Sequence, residues 1–117
     1  MAELNRVALG GQLDTIEISG EFDLADEPRA QELIAASLES PARSLLLDLS
    51  ACRFMDSAGI RTLIRTYDRA REAGLRFAIA GLGPQLRRVL SVSGLTDELP
   101  LYAEREAALR SLSVRTS

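Results

Sequence analysis

Asp56-Ser57-Ala58-Gly59 opens the most regular helical stretch of the chain. A serine hydroxyl just inside a helix start faces unpaired backbone N–H groups and the positive end of the helix dipole. An anion attached there, such as a phosphate, is well accommodated. The bland alternative stays open on these residues alone, because an Asp-Ser pair before a helix is also an ordinary cap. Asp23, after Gly20-Glu21-Phe22, has the same two readings. Cys52 has no lysine or histidine to lower its pKa and reads as a small, partly buried hydrophobe. Phe54 is expected to point inward, and Met55 could face either way.

What is missing narrows the chemistry further. The chain has no histidine, and all 14 basic residues are arginine. The commonest general base, the commonest metal ligand, the Schiff-base amine and the phosphate-loop lysine are therefore absent. No glycine-rich phosphate loop, metal-ligand cluster or nucleophile–base pair stands out, so the expectation is a binding protein without a cofactor. Only carboxylate catalysis stays open, and no residue pair argues for it. Net charge is −3 and aromatic content 4%, the wrong sign and too few rings for nucleic-acid binding. The charge is uneven. Residues 1–56 carry eleven acids and four arginines, net −7, whereas 57–117 carry six and ten, net +4. This is either chance or an acidic face offered to a partner. No stretch approaches the ~18 apolar residues of a membrane span. With a single cysteine, which cannot form an internal disulfide, the expected home is the cytosol.

The elements that must position Ser57 follow from periodicity. A chain of 117 residues with 46% hydrophobic content suits one domain, 1–117, with 113–117 as a tail. Val7-Ala8-Leu9 predicts a short first strand, turned at Gly10-Gly11. Ile16, Ile18, Gly20 and Phe22 alternate with Glu17, Ser19 and Glu21 as a strand with one wet face. Asp23 caps a helix that tolerates Pro28 in its first turn, buries Ala30, Leu33, Ile34 and Leu38, and stops at Pro41. Leu45-Leu46-Leu47-Asp48-Leu49 predicts a strand covered on both faces. Arg53–Ser57 then forms a functional loop at the strand's carboxyl end. In the next helix, Ile60, Leu63, Ile64 and Tyr67 make the buried stripe. Arg61, Arg65 and Arg69 line the opposite side, as a solvated face beside Asp68 and Glu72. Gly74 ends that helix, and Leu75–Ala80 is another interior strand. Gly83-Pro84 opens a helix with Leu86, Val89 and Leu90 inward, closed by Gly94. A strand around Leu99–Tyr102 and a helix over Glu104–Leu112 finish the chain. The order β-β-α-β-α-β-α-β-α predicts an α/β fold with a mixed sheet and helices packed against it.

The run Asp48-Leu49-Ser50-Ala51-Cys52-Arg53-Phe54-Met55-Asp56-Ser57-Ala58-Gly59-Ile60 closely resembles the signature of sulfate-transporter and anti-sigma-antagonist (STAS) domains. There an apolar strand ends in Asp-Leu-Ser, and Met/Ile-Asp-Ser-Ser/Ala-Gly-Leu/Ile then opens a helix. Gly20-Glu21-Phe22-Asp23 is similar to the family's Gly-Glu-Leu-Asp, and Val92-Ser93-Gly94-Leu95 to its Ser/Thr-Gly-Leu. The three stretches stand in register, and the resemblance spans Ile16 to Leu112. It implies a stand-alone anti-anti-sigma factor, with Ser57 as the residue phosphorylated by an anti-sigma factor that is also a serine kinase. The unphosphorylated form would bind that kinase and free the sigma factor, and a serine phosphatase would reverse the modification. The partner-binding set implied is Glu21, Asp23, Met55, Asp56, Ser57, Ala58 and Gly59. Ala58 stands where relatives often carry a second serine. The same resemblance leaves a rival, a STAS subunit of a lipid-transport ABC complex or a stress-signalling assembly. Anion-transporter membership is disfavoured by the lack of membrane segments. Gly59 is expected to matter for packing or close approach in the turn that presents Ser57, where a side chain could block a partner backbone, so that Gly59→Val would harm binding more than folding.

Overall fold

The computed structural model describes residues 1–9 and 12–113. The Gly10-Gly11 turn and most of the expected 113–117 tail fall outside them. The strands are β1 (Ala2–Leu9), β2 (Leu13–Phe22), β3 (Ser44–Met55), β4 (Arg76–Ala80) and β5 (Leu101–Tyr102). The helices are α1 (Glu27–Glu39), α2 (Ser57–Glu72), α3 (Pro84–Val92) and α4 (Arg105–Ser113). The strands form one sheet in the order β1-β2-β3-β4-β5. β1 runs antiparallel to β2, and the other three pairings are parallel. The mixed α/β sheet is thus the one its element order predicts. β1 is longer than Val7–Leu9, because residues from Ala2 onward also pair with β2.

The apolar run of β3 explains the layering. Leu45, Leu47 and Leu49 point to one face, into the main core with Ile34 of α1, Leu63 of α2 and Leu86 and Leu90 of α3. Leu46 points to the other face, where Ala78 and Ala80 leave room for Ala108 and Leu112 of α4. Each fully buried leucine contributes about 2 kcal/mol by area. Asp48 shares the α4 face and is held by Arg105, whose guanidinium also lies 3.7 Å from Glu17. This ionic knot ties α4 to the two central strands.

Two differences from expectation bear on the site. β3 continues to Met55, so Arg53–Met55 is strand, and only Asp56 separates β3 from α2. Its extra length is paired, with irregularities, against the end of β2: Gly20 with Cys52, Glu21 with Phe54, Phe22 with Met55. The second difference is the buried face of α2. It consists of Ala58, Gly59, Thr62, Leu63, Thr66 and Ala70, with Ile60 and Tyr67 packed at its margin and Ile64 only half-buried. The Thr62 and Thr66 hydroxyls donate to carbonyls four residues back, at 2.9 and 2.6 Å. With their polar groups satisfied internally, these residues pack as small apolar ones and let the helix lie close to the sheet. Arg61 and Arg65 stay exposed, as expected of a solvated face, and all three arginines reach the neighbouring helix α1. Arg61 and Arg65 face Glu27, and Arg69 donates to Gln31 at 3.1 Å.

Candidate functional site

The carboxyl ends of β2 and β3 meet at a pair of capped helix starts. Asp56 has an extended backbone and accepts from the N–H groups of Ala58 and Gly59, at 2.9 and 3.2 Å. Such a cap is worth about 1 kcal/mol. Its own N–H donates to the carbonyl of Phe22 at 3.2 Å, locking the junction to the end of β2. Ser57 is therefore the first helical residue. It is exposed, and its hydroxyl enters no hydrogen bond among the described residues.

The neighbouring junction is equally well held. Asp23 accepts from Ala25 N–H at 2.9 Å, while Asp26 accepts from Asp23 N–H at 3.0 Å, a reciprocal capping box around the 3-10 turn of Leu24–Asp26. Asp26 also accepts from Ala2 N–H at 3.2 Å, fastening the start of β1 to the same corner. The turn runs straight into α1, so Asp23 caps a short 3-10 turn and not the α-helix itself.

These backbones divide the sequence-predicted site into outward and inward members. Glu21, Asp23 and Ser57 are exposed, and Asp56 is half-buried. Met55 and Ala58, expected among the partner-facing residues, are each 2% exposed. Their side chains belong to the core, because β3 stays in the sheet to its last residue and delivers Met55 beneath α2. Gly59 is buried as well, and a Cβ built on it would stand 2.8 Å from the Cβ of Met55. Its missing side chain makes room for Met55, so the demand for glycine comes from packing inside the domain.

Phe54 is the reverse case. Expected inward, it is 44% exposed, since strand alternation sends it away from the face that takes Met55. Leu24, which sequence reading passed over, is 62% exposed on the 3-10 turn. The Asp23-Leu24-Ala25-Asp26 spacing was the available signal: a capping box holds both acids on the backbone and leaves the residue between them outside. Arg53 is also exposed here. The corner thus offers a hydroxyl, two apolar side chains and the carboxylates of Glu21 and Asp23. Cys52 lies just behind, its thiol donating to the carbonyl of Phe54 at 3.4 Å. Burial pushes that thiol above its ordinary pKa, which outweighs the opposing carbonyl contact and the charge of Arg53. It is a poor nucleophile.

Fold and corner together define a class. The family model for the STAS domain matches residues 11–108, and the chain belongs to the STAS domain family. Among bacterial members it resembles the anti-sigma factor antagonists. It is 30% identical over 101 residues to the anti-sigma F factor antagonist of Paenibacillus polymyxa, covering 85% of this chain and 86% of the relative. The structure of an anti-sigma factor antagonist from Mycobacterium paratuberculosis matches with a TM-score of 0.86 at 27% identity, covering 97% of this chain and 96% of that one. The phosphorylated form of the Bacillus cell fate determinant SpoIIAA matches with a TM-score of 0.74 over 93% of this chain and 98% of its own. At 18% identity that last likeness is one of fold.

Proposed function

We propose that the chain is a cytosolic, non-enzymatic anti-sigma factor antagonist switched at Ser57. Unphosphorylated, it binds an anti-sigma factor that is also an ATP-dependent serine kinase, and the sigma factor is released. In the modifying step, a bond forms between Ser57 Oγ and the γ-phosphorus of ATP as the bond to ADP breaks, and the hydroxyl proton passes to the kinase. A serine phosphatase restores the hydroxyl. The observation that carries this reading is the exposed Ser57 hydroxyl, unengaged among the described residues, at the capped start of α2, at the same end of the sheet as exposed Leu24 and Phe54. Among the described residues no helix is long and apolar enough to cross a membrane.

The physical account is a surface effect. A phosphate brings about −1.5 to −2 charges. Ser57 is exposed at the positive end of the α2 dipole, so a phosphate extends into solvent and the fold need not rearrange. Placed against a partner, that charge weakens binding a hundredfold if it costs the interface about 2.8 kcal/mol, well within reach for a charge desolvated at an interface. Incubation with the cognate kinase and ATP should label wild type and leave Ser57→Ala unlabelled. The labelled protein should keep its far-UV dichroism while losing kinase affinity, with Ser57→Asp intermediate. Strong labelling of Ser57→Ala, for example at Ser50 or Ser93, would overturn the assignment. Rearrangement of the sheet on phosphorylation would replace the surface mechanism with an allosteric one.

A further inference from the structure

One exposed arginine lies a single helical turn from the switch serine and is only loosely held. Arg61 follows Ser57 by four residues on the unbroken helix α2. Side chains at that spacing are neighbours, with Cβ atoms about 5–6 Å apart. Helical side chains also lean toward the N-terminus, which puts the turn that carries Ser57 within reach of Arg61. Its side chain is 53% exposed. The partner it has is shared: Glu27 Oε2 lies 3.6 Å from Arg61, and Glu27 Oε1 lies 4.0 Å from Arg65. Neither contact is a hydrogen bond, and among the described residues Glu27 Oε2 accepts none from any other group. Two guanidinium groups thus attend one carboxylate, which leaves the pair with one positive charge in excess. The acid closest to it in the chain, Asp56, is engaged in capping.

We propose that Arg61 is the intramolecular counter-ion of a phosphate on Ser57. Modification draws its guanidinium from Glu27 to the phosphate, and Arg65 remains with Glu27. The inference rests on Ser57 as the phosphoacceptor. The exchange is favourable because a dianion replaces a monoanion as the partner of Arg61, at the spacing where helical ion pairs form, while Glu27 keeps one cation. The phosphoprotein then hides part of its new charge within itself, and the α1–α2 seam registers the modification.

The test needs no kinase. Phosphoserine is installed at position 57 of the full chain during synthesis, and its ³¹P resonance is followed against pH. A nearby cation favours the dianion and lowers the second phosphate pKa, so Arg61→Gln should raise it by about half a pH unit, given the usual strength of exposed helical pairs. Asp23, Asp56 and Glu27 act on the phosphate in both proteins and cancel in the comparison. Arg65→Gln should raise that pKa by clearly less, because Glu27 then competes for Arg61 without removing it, and Arg61→Lys should recover most of the lowering. An Arg61→Gln curve superimposed on wild type, or an equal shift in Arg65→Gln, would overturn the proposal. Failure of the phosphoacceptor reading would show separately, as absence of kinase labelling at Ser57.

Discussion

Replacing Gly59 by alanine puts a methyl group into space that Met55 already fills. The new Cβ would lie 2.8 Å from Met55 Cβ, 3.0 Å from its Cγ and 3.1 Å from its Sδ. Carbon atoms settle at about 3.5–4.0 Å, so the closest pair must open by roughly 0.7 Å or more. Rotation of Met55 can clear Cγ and Sδ. It cannot move Cβ, which is fixed to β3 in a side chain only 2% exposed. The first turn of α2 must therefore lift. Overpacking of this kind costs about 1–3 kcal/mol, against a gain of up to about 1 kcal/mol from alanine's better helix propensity. The net expectation is a loss of about 1–2 kcal/mol, or a Tm lower by roughly 5–10 °C. Urea unfolding followed by circular dichroism should show a lower midpoint at unchanged slope. Gly59→Val should be worse. This reverses the expectation that a side chain at 59 would harm binding more than folding. A Gly59→Ala protein as stable as wild type would refute the packing argument.

Two other outcomes follow from the same structure. Burial alone would raise the pKa of Asp48, but the Ser50 hydroxyl and N–H, at 2.6 and 2.9 Å, together with Arg105, hold its carboxyl below the ordinary value. A depressed folded pKa stabilises above the unfolded value and is lost as pH falls through the folded one. Wild type should therefore lose stability below about pH 4. Asp48→Asn should be less stable by about 1–2 kcal/mol at pH 7, with a flatter profile in acid by urea midpoints from pH 7 to 2.5. Identical profiles would remove Asp48 from the account. At the switch corner, Leu24→Ser and Phe54→Ser should each weaken anti-sigma factor binding about tenfold by calorimetry, while changing stability by no more than about 0.5 kcal/mol. Unchanged affinity would take these side chains off the interface.

The chain's own pattern determined the order of elements, the strands and helices that strong periodicity marks, and the place of Ser57 behind its Asp56 cap. These are local matters: a capping acid, a glycine past a helix end such as Gly74 at φ +75°, an apolar run too short for anything but a covered strand. Direction was the part that required the folded molecule. Phe54 and Met55 are adjacent apolar residues, and nothing local says which faces the core. The register of β3 against the end of β2 decides it, with Met55 under α2 and Phe54 in solvent. The buried stripe of α2 was legible at Leu63, Ile60 and Tyr67 but not at its threonines, for a related reason. Hydrophobicity ranks Ile64 above Thr62 and Thr66, yet threonines that bond back to their own helix pack closer to a sheet than isoleucine can. Glu27 and Arg61 are 34 positions apart, and only the packing of α1 on α2 brings them together, one turn below Ser57. Sequence spacing reports neighbours within an element, whereas contacts between elements depend on how tightly small residues allow those elements to approach.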